Sequence, residues 1–326
     1  MDVVPDWVFI MEKSARNRTL NMSAEEEREY LERTVRVDAP ATAEDILDRT
    51  ICGNCLEVMP LLPEGFVDLA IADPPYNADM DFNGTRFRRM DDDAYEKYTE
   101  KWMERMLPLL KPDASVYVCC DWRSSSAVER VLKKRLVVRS RITWQREKGR
   151  GALKNWKNGM EDIWFATVSD DYTFNVGDVK MRRRVIAPYR TGGKPRDWEE
   201  TPEGNFRDTY PSNFMDDISV PYWSMPENTA HPAQKPEKLL AKLILAGTDR
   251  GGVVFDPFLG SGSTSVAAKK LGRRYVGIEM NGRYCAWAEK RLETAETDRT
   301  IQGYEDGVFW ERNTANIIAK FRKKNS

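Results

Sequence analysis

The stretch "VVFDPFLGSGSTSVAAKKLGRRYVGIEMN" (residues 253–281) decides the fold. It reads as a short apolar strand, a glycine turn, a helix and a second apolar strand ending at Glu279. That is the βαβ layout of a nucleotide-binding unit. Gly260 and Gly262 let the backbone turn tightly and come close to a ligand. Asp256 and Glu279 fall at the carboxyl ends of their strands, where open α/β sheets bind ligands, and Glu279 is placed to accept hydrogen bonds from ribose hydroxyls. A dinucleotide fingerprint would need glycine where Ser265 stands, and the Gly-Lys-Ser/Thr of a phosphate-binding loop is absent. An adenosine cofactor without a pyrophosphate remains, and S-adenosylmethionine fits that description. The competing reading is a plain α/β turn whose glycines serve geometry alone.

Outward from this unit, short apolar runs recur at Phe66–Ala72, Ser115–Cys119 and Val137–Trp144, each followed by turn signals. Helical patterns lie between them at Ala94–Leu110, Ser124–Leu136, Pro236–Ala246 and Arg283–Leu292. Near-continuous apolar strands alternating with helices predict an α/β fold, with a mostly parallel sheet covered on both faces. Residues 1–50 form a polar, acidic N-terminal extension, and Ser23 with Glu26 three positions on predicts a capped helix. Residues 145–230 interrupt the alternation with many glycines, prolines, arginines and tryptophans and read as an inserted module. The regular domain spans 51–295, and 296–326 reads as a C-terminal tail.

The 326 residues carry a net charge of −1, but the charge is segregated. Residues 139–196 hold 14 Lys/Arg against 6 Asp/Glu, whereas residues 23–48 hold 3 against 9. Two oppositely charged solvated faces would explain this without any partner. The five cysteines form no disulfide-like framework, so a reducing cytoplasm is expected. Cys52 and Cys55 lack a second pair at zinc spacing, and the single histidine, His231, is distant in sequence, so no metal is expected. No apolar run is long enough to span a bilayer, and no membrane role is expected.

A second feature needs explaining. The strand "FVDLAIAD" (66–73) runs straight into Pro74, Pro75 and Tyr76. Two prolines stiffen the turn and donate no backbone N–H. With an ionised Asp73, the strand end offers acceptors only, beside one aromatic face. The partner that suits it is an exocyclic amine on a planar ring, stacked on Tyr76. Holding both amine hydrogens localises charge on a nitrogen otherwise delocalised into its ring, which can then attack a sulfonium methyl in line. A rigid turn with a capping aspartate is the bland alternative.

DPPY at 73–76 and FDPFLGSGST at 255–264 together resemble the amino-methyltransferases that modify exocyclic amines of DNA bases. The catalytic motif comes first, then an insert, then the cofactor loop, which resembles the circularly permuted β-class order. "GNCLEVMPLLPEGFVDLAIADPPYN", "LKPDASVYVCCDW" and "HPAQKPEKLL" resemble further family segments, so the likeness covers about residues 50–295. It implies a Rossmann-like methyltransferase fold, with Asp73, Pro74, Pro75 and Tyr76 as the catalytic residues. By the same analogy S-adenosylmethionine contacts Asp256, Phe258, Gly260, Gly262, Ser263, Thr264 and Glu279, with Lys235 and the His231 region at its methionine end. Asn54 stands where relatives often carry Asp, which puts one adenine contact in doubt, and Ala233 replaces a frequent threonine.

The resemblance also makes double-stranded DNA the partner and residues 145–230 the target-recognition region. A duplex amine cannot reach Asp73, so the base must be flipped out. Arg146, Lys148, Arg150, Lys154 and Lys157, with Trp156, and then Arg182, Arg183 and Arg184, suit a phosphate-binding surface with a stacking aromatic. Trp144 reads as core, and residues 79–93 read as a mobile loop over the flipped base. Family members with Asp first in the motif are mostly adenine-N6 specific. The expectation is therefore a site-specific DNA adenine-N6 methyltransferase. Its alternatives are a cytosine-N4 enzyme and a non-catalytic nucleic-acid-binding subunit of a methyltransferase complex. A cognate restriction endonuclease, a homodimer and a bacterial or phage origin are further expectations of this class.

Overall fold

A computed structural model of the chain describes residues 14–82, 84–146, 153–185, 189–312 and 314. Eight strands make the central sheet: β1 (Arg49–Cys52), β2 (Val67–Ala72), β3 (Leu110–Cys120), β4 (Val137–Gln145), β5 (Met160–Thr167), β6 (Phe214–Met215), β7 (Val253–Asp256) and β8 (Arg274–Glu279). Their spatial order is β1-β8-β7-β2-β3-β5-β4-β6. Every neighbouring pair is parallel except β3/β5 and β5/β4. Crossover helices are what parallel neighbours require. They are α2 (Asp92–Met106), α3 (Ser125–Lys133), α4 (Glu237–Gly247) and α5 (Ser263–Lys270); α1 (Ala24–Glu32) precedes the sheet and α6 (Gly282–Thr297) follows its last strand, β8.

The strands are buried on both faces, which is why they read as unbroken apolar runs. On one face Val67, Ala70, Ala72, Val116 and Val118 pack with Trp102, Met106 and Val128. On the other, Leu69, Ile71 and Tyr117 pack with Leu239, Leu243 and Val266. The change of parity between Val67 and Ala70 comes from a register shift in β2 between Val67 and Leu69. It frees the Asp68 carboxylate to accept from Val253 N at 2.7 Å and Lys111 Nζ at 2.7 Å.

Three boundaries differ from the sequence reading. Helix α1 has the expected capping box, Ser23 to Glu26, but β1 begins at Arg49, inside the expected extension. Within the insert, β5 belongs to the central sheet. It lies antiparallel between β3 and β4, a placement that breaks the simple β-α alternation used to set the boundary. The stretch read as a tail is also structured. Val308–Trp310 pairs in parallel with Met181–Arg184 in a five-stranded sheet with Glu199–Thr201, Gly204–Thr209 and Tyr304–Glu305. The residues read as a mobile loop form a hairpin, Met80–Phe82 with Thr85–Phe87, closed at its base by both amide hydrogen bonds of Asn77 to the Met90 backbone. Among the described residues no helix is long and apolar enough to cross a membrane.

Candidate active site

The carboxyl ends of β2, β7 and β8 open onto one cavity of about 300 Å³, within the size range of small-molecule sites. Asp73 to Tyr76, Asn54, His231, Lys235 and the residues of the glycine loop all line it or pack beside it. Two motifs almost two hundred residues apart therefore share one space.

The cofactor half is built from backbone geometry. Gly262 sits at φ +86°, and a Cβ there would meet the Ala288 Cβ of α6 at 2.6 Å. The turn is thus pressed against a helix, and only glycine fits. Thr264 Oγ1 donates to Asp256 Oδ2 at 2.6 Å, and Phe258 N donates to Oδ1 at 2.9 Å. Burial still pushes the Asp256 carboxyl up to about 7, although both donors oppose the shift. Burial also raises Glu279, against the N–H groups of Asn281 (2.7 Å) and Gly260 (2.9 Å) that fix its oxygens. Gly260 lies against the His231 ring, where a Cβ would come within 3.1 Å of Nε2. Burial, then the charges of Lys235 and Arg291, lower His231 to about 4, so the imidazole is neutral at pH 7. Asn54 spends its side-chain carbonyl as the N-cap of Cys55–Val58, accepting from Leu56 N at 3.0 Å. Arg291 of α6 donates to Ser261 O at 2.7 Å and to Ser263 Oγ at 3.0 Å, tying the loop to the helix behind it.

These residues suit an adenosine cofactor without phosphates. Glu279 presents a carboxylate to the cavity at the end of β8, as ribose hydroxyls would need, and Phe258, Leu259 and Ile278 supply an apolar wall. Of the cations lining the cavity, Lys235 is paired with Asp73 and Arg86 with Asp81 at 3.2 Å, which leaves no cationic cluster for a pyrophosphate.

The strand end is richer than an acceptor-only cradle. Lys235 Nζ donates to Asp73 Oδ2 at 2.6 Å, and the Tyr76 hydroxyl lies 3.0 Å from Asp73 Oδ1. Lys235 therefore lines the cavity as the ion-pair partner of Asp73 and not as an unpaired cation. Burial alone would depress its ammonium, but Asp73 and Glu161 outweigh that and hold it above the ordinary lysine value. Pro75 O accepts from the Tyr95 hydroxyl at 3.1 Å. Among the described residues no protein donor reaches Pro74 O, so that carbonyl is the acceptor left for a ligand.

Sequence reasoning missed Glu161. It is 4% exposed, contacts Tyr76 and Lys235, and pairs with Arg146. The signal was a pair of acids opening the apolar run "EDIWFAT". Because β5 runs antiparallel, its amino end lies at the carboxyl edge of its neighbours. The expected DNA-binding residues divide. Arg146 points inward to Glu161, so its guanidinium is engaged. Arg182 forms a two-bond pair with Asp208 at 2.7 and 2.9 Å. Arg183 pairs with Glu311 and Asp216, and Arg184 donates to Glu203 O. These three knit the small sheet together. Lys154, Trp156 and Lys157 stand on an exposed segment, with Trp156 93% exposed. Lys148 and Arg150 lie outside the described residues. Trp144 is core, donating from Nε1 to Ile218 O at 3.0 Å.

Comparison with known proteins meets this geometry from another side. A DNA methylase family profile matches residues 67–290. Type II methyltransferase M.HpaI of Haemophilus parainfluenzae is 30% identical over 249 residues, covering 76% of this chain and 74% of that protein. DNA adenine methyltransferase YhdJ of Escherichia coli K12 is 30% identical over 277 residues, covering 83% and 90%. Among solved structures, the M1.HpyAVI–SAM complex matches with TM-score 0.50 at 24% identity, covering 74% of this chain and 98% of that one. The cytosine-N4-specific PvuII DNA methyltransferase matches with TM-score 0.56 at 16% identity, covering 76% and 90%. The profile takes in β2 with its Asp-Pro-Pro-Tyr ending and the glycine loop between β7 and α5, the two elements that meet at the cavity. The chain belongs to the DNA methylase family.

Proposed function

We propose that the protein transfers a methyl group from S-adenosylmethionine to the exocyclic N6 amine of an adenine flipped out of double-stranded DNA. One observation carries this reading: Asp73 and the Asp256–Glu279 cofactor half line the same cavity. Adenine is favoured by aspartate at the first position of the motif and by the likeness to the DNA adenine methyltransferase YhdJ. Likeness to the Type II enzyme M.HpaI supports a cognate restriction endonuclease as partner.

When bound, S-adenosylmethionine supplies an electrophilic methyl group. Glu279 would hold the ribose, and the apolar wall of Phe258 and Ile278 would receive the adenine ring. Asp73 and the Pro74 carbonyl accept the two N–H bonds of the target amine, which turns its lone pair out of the ring. Lys235 fixes Asp73 through Oδ2 at 2.6 Å. Holding reacting atoms in a near-attack geometry can supply up to about 7–11 kcal/mol of a barrier reduction. The excess proton of the methylated amine leaves to Asp73 or to water. Lys154, Trp156 and Lys157 supply the exposed basic and aromatic surface for the duplex, offsetting the few kcal/mol of base flipping.

The test is expression in a host free of DNA methylation, followed by sequencing of its DNA for modified bases. N6-methyladenine at a defined site is expected from the wild type and none from Asp73→Ala, with cofactor binding retained by calorimetry. N4-methylcytosine would refute the choice of base, and activity in Asp73→Ala would refute the mechanism.

A further inference from the structure

Behind Asp73 stands a second carboxylate with the same two donors. The Tyr76 hydroxyl is 3.0 Å from Asp73 Oδ1 and 3.1 Å from Glu161 Oε2. Lys235 Nζ is 2.6 Å from Asp73 Oδ2 and 3.4 Å from Glu161 Oε2. A phenol has one proton to give. If it goes to Asp73, Glu161 faces a bare oxygen lone pair; if it goes to Glu161, Asp73 Oδ1 faces that lone pair and is open to another donor. Burial keeps Tyr76 protonated, so that single proton is always present to be placed. Lys235 is likewise divided between the two acids. Glu161 is only 4% exposed, with Arg146 on Oε1 and Lys235 on Oε2.

We infer that Glu161 is a positioning residue for Asp73: it draws the Tyr76 proton and part of the Lys235 charge, leaving Asp73 lone pairs open to the target amine. This rests on the proposed methyl transfer, in which Asp73 accepts an amine hydrogen. Without Glu161, both donors turn wholly onto Asp73. Two of its roughly four acceptor sites are then filled, and its remaining electron density is drawn toward the ammonium. The amine hydrogen meets a poorer acceptor at the moment its nitrogen attacks. Arg146, the first residue after β4, thereby reaches the reacting group through Glu161 and not through DNA phosphate.

The test is single-turnover methylation of a duplex substrate by the full-length protein. Glu161→Gln keeps the shape and removes the charge. A fall in rate of at least tenfold is expected, with cofactor and DNA dissociation constants within threefold of wild type. If Glu161 acts through Tyr76, the double variant Glu161→Gln/Tyr76→Phe loses less than the product of the two single losses. Glu161→Asp, which keeps the charge one methylene short, recovers part of the rate. A Glu161→Gln rate within twofold of wild type overturns the inference, and so does a double variant whose losses simply multiply. Should Glu161→Gln fail to bind cofactor, Glu161→Asp carries the reading: a reduced rate with kept affinities supports it, and an unchanged rate or loss of both overturns it. An inactive wild type would instead overturn the proposed function itself, and the inference with it.

Discussion

Replacing Gly262 by alanine tests how the cofactor loop is held. The residue sits at φ +86°, where a side chain costs about 1–2 kcal/mol of backbone strain. Its new Cβ would also lie 2.6 Å from Ala288 Cβ and 2.7 Å from Ala288 Cα. Both atoms belong to a buried helix that cannot rotate away, so overpacking adds about 1–3 kcal/mol. The expected destabilisation is therefore about 2–5 kcal/mol in sum. Gly65 provides the control, at φ +61° with nothing within 4 Å of its would-be Cβ. Gly65→Ala should lose the strain component alone, about 1–2 kcal/mol. Urea unfolding with an unchanged m-value reads both variants on one scale. Adding Ala288→Gly to Gly262→Ala should restore stability only in part, because the backbone carbon of residue 288, 2.7 Å away, is still in the way. Because relief of the clash must move the loop that presents Asp256 and Ser263, cofactor affinity should fall in Gly262→Ala and not in Gly65→Ala. Equal destabilisation by the two substitutions would show that the turn and α6 are not pressed together, and the account of the loop would fail.

Other predictions concern charge. His231, the single histidine, should give one imidazole NMR signal titrating near 4, below its ordinary 6.5. Since the unfolded chain then binds more protons across that window, stability should drop as pH falls from about 6.5 to about 4 and be insensitive to His231 above it; a midpoint at or above 6.5 contradicts the buried, neutral ring. Trp156→Ala and Lys154→Ala should weaken duplex binding, the tryptophan by about 1–3 kcal/mol if it stacks, while leaving cofactor affinity alone. Arg182→Ala should do the reverse. It should leave duplex affinity nearly intact and cost about 1 kcal/mol of stability through its paired Asp208. A salt-dependent affinity loss in Arg182→Ala would return that residue to the DNA surface.

The sheet and its helices were legible because parallel strands buried on both faces print themselves as apolar runs, and because Gly260 and Gly262 mark a turn no other residue fits. The placement of Asp73 and Glu279 on one cavity was legible because both end strands of such a sheet at its carboxyl edge. Strand β5 was not, since an antiparallel strand slotted between two others carries no crossover helix to announce it. Missing β5 concealed Glu161, whose position depends on that strand's direction. The arginines at 182–184 show a different limit. A run of like charge reads as a phosphate surface until the acids that neutralise it, Asp208, Glu311 and Asp216, are brought in from elsewhere in the chain. Sequence distance hid those partners, and composition could not supply them.

The pairing of Met181–Arg184 with Val308–Trp310 bears on how such a protein is made and remade. The small sheet cannot close until residue 310 has been synthesised, so Met181–Arg184 waits for its second neighbour while β1 to β8 already have their partners. The unit that could be grafted onto another scaffold is also discontinuous. A chimera that exchanges residues 181–209 alone would leave Phe309 and Trp310 facing a foreign strand, whereas one that carries 304–311 with it keeps the register and the Arg183–Glu311 pair.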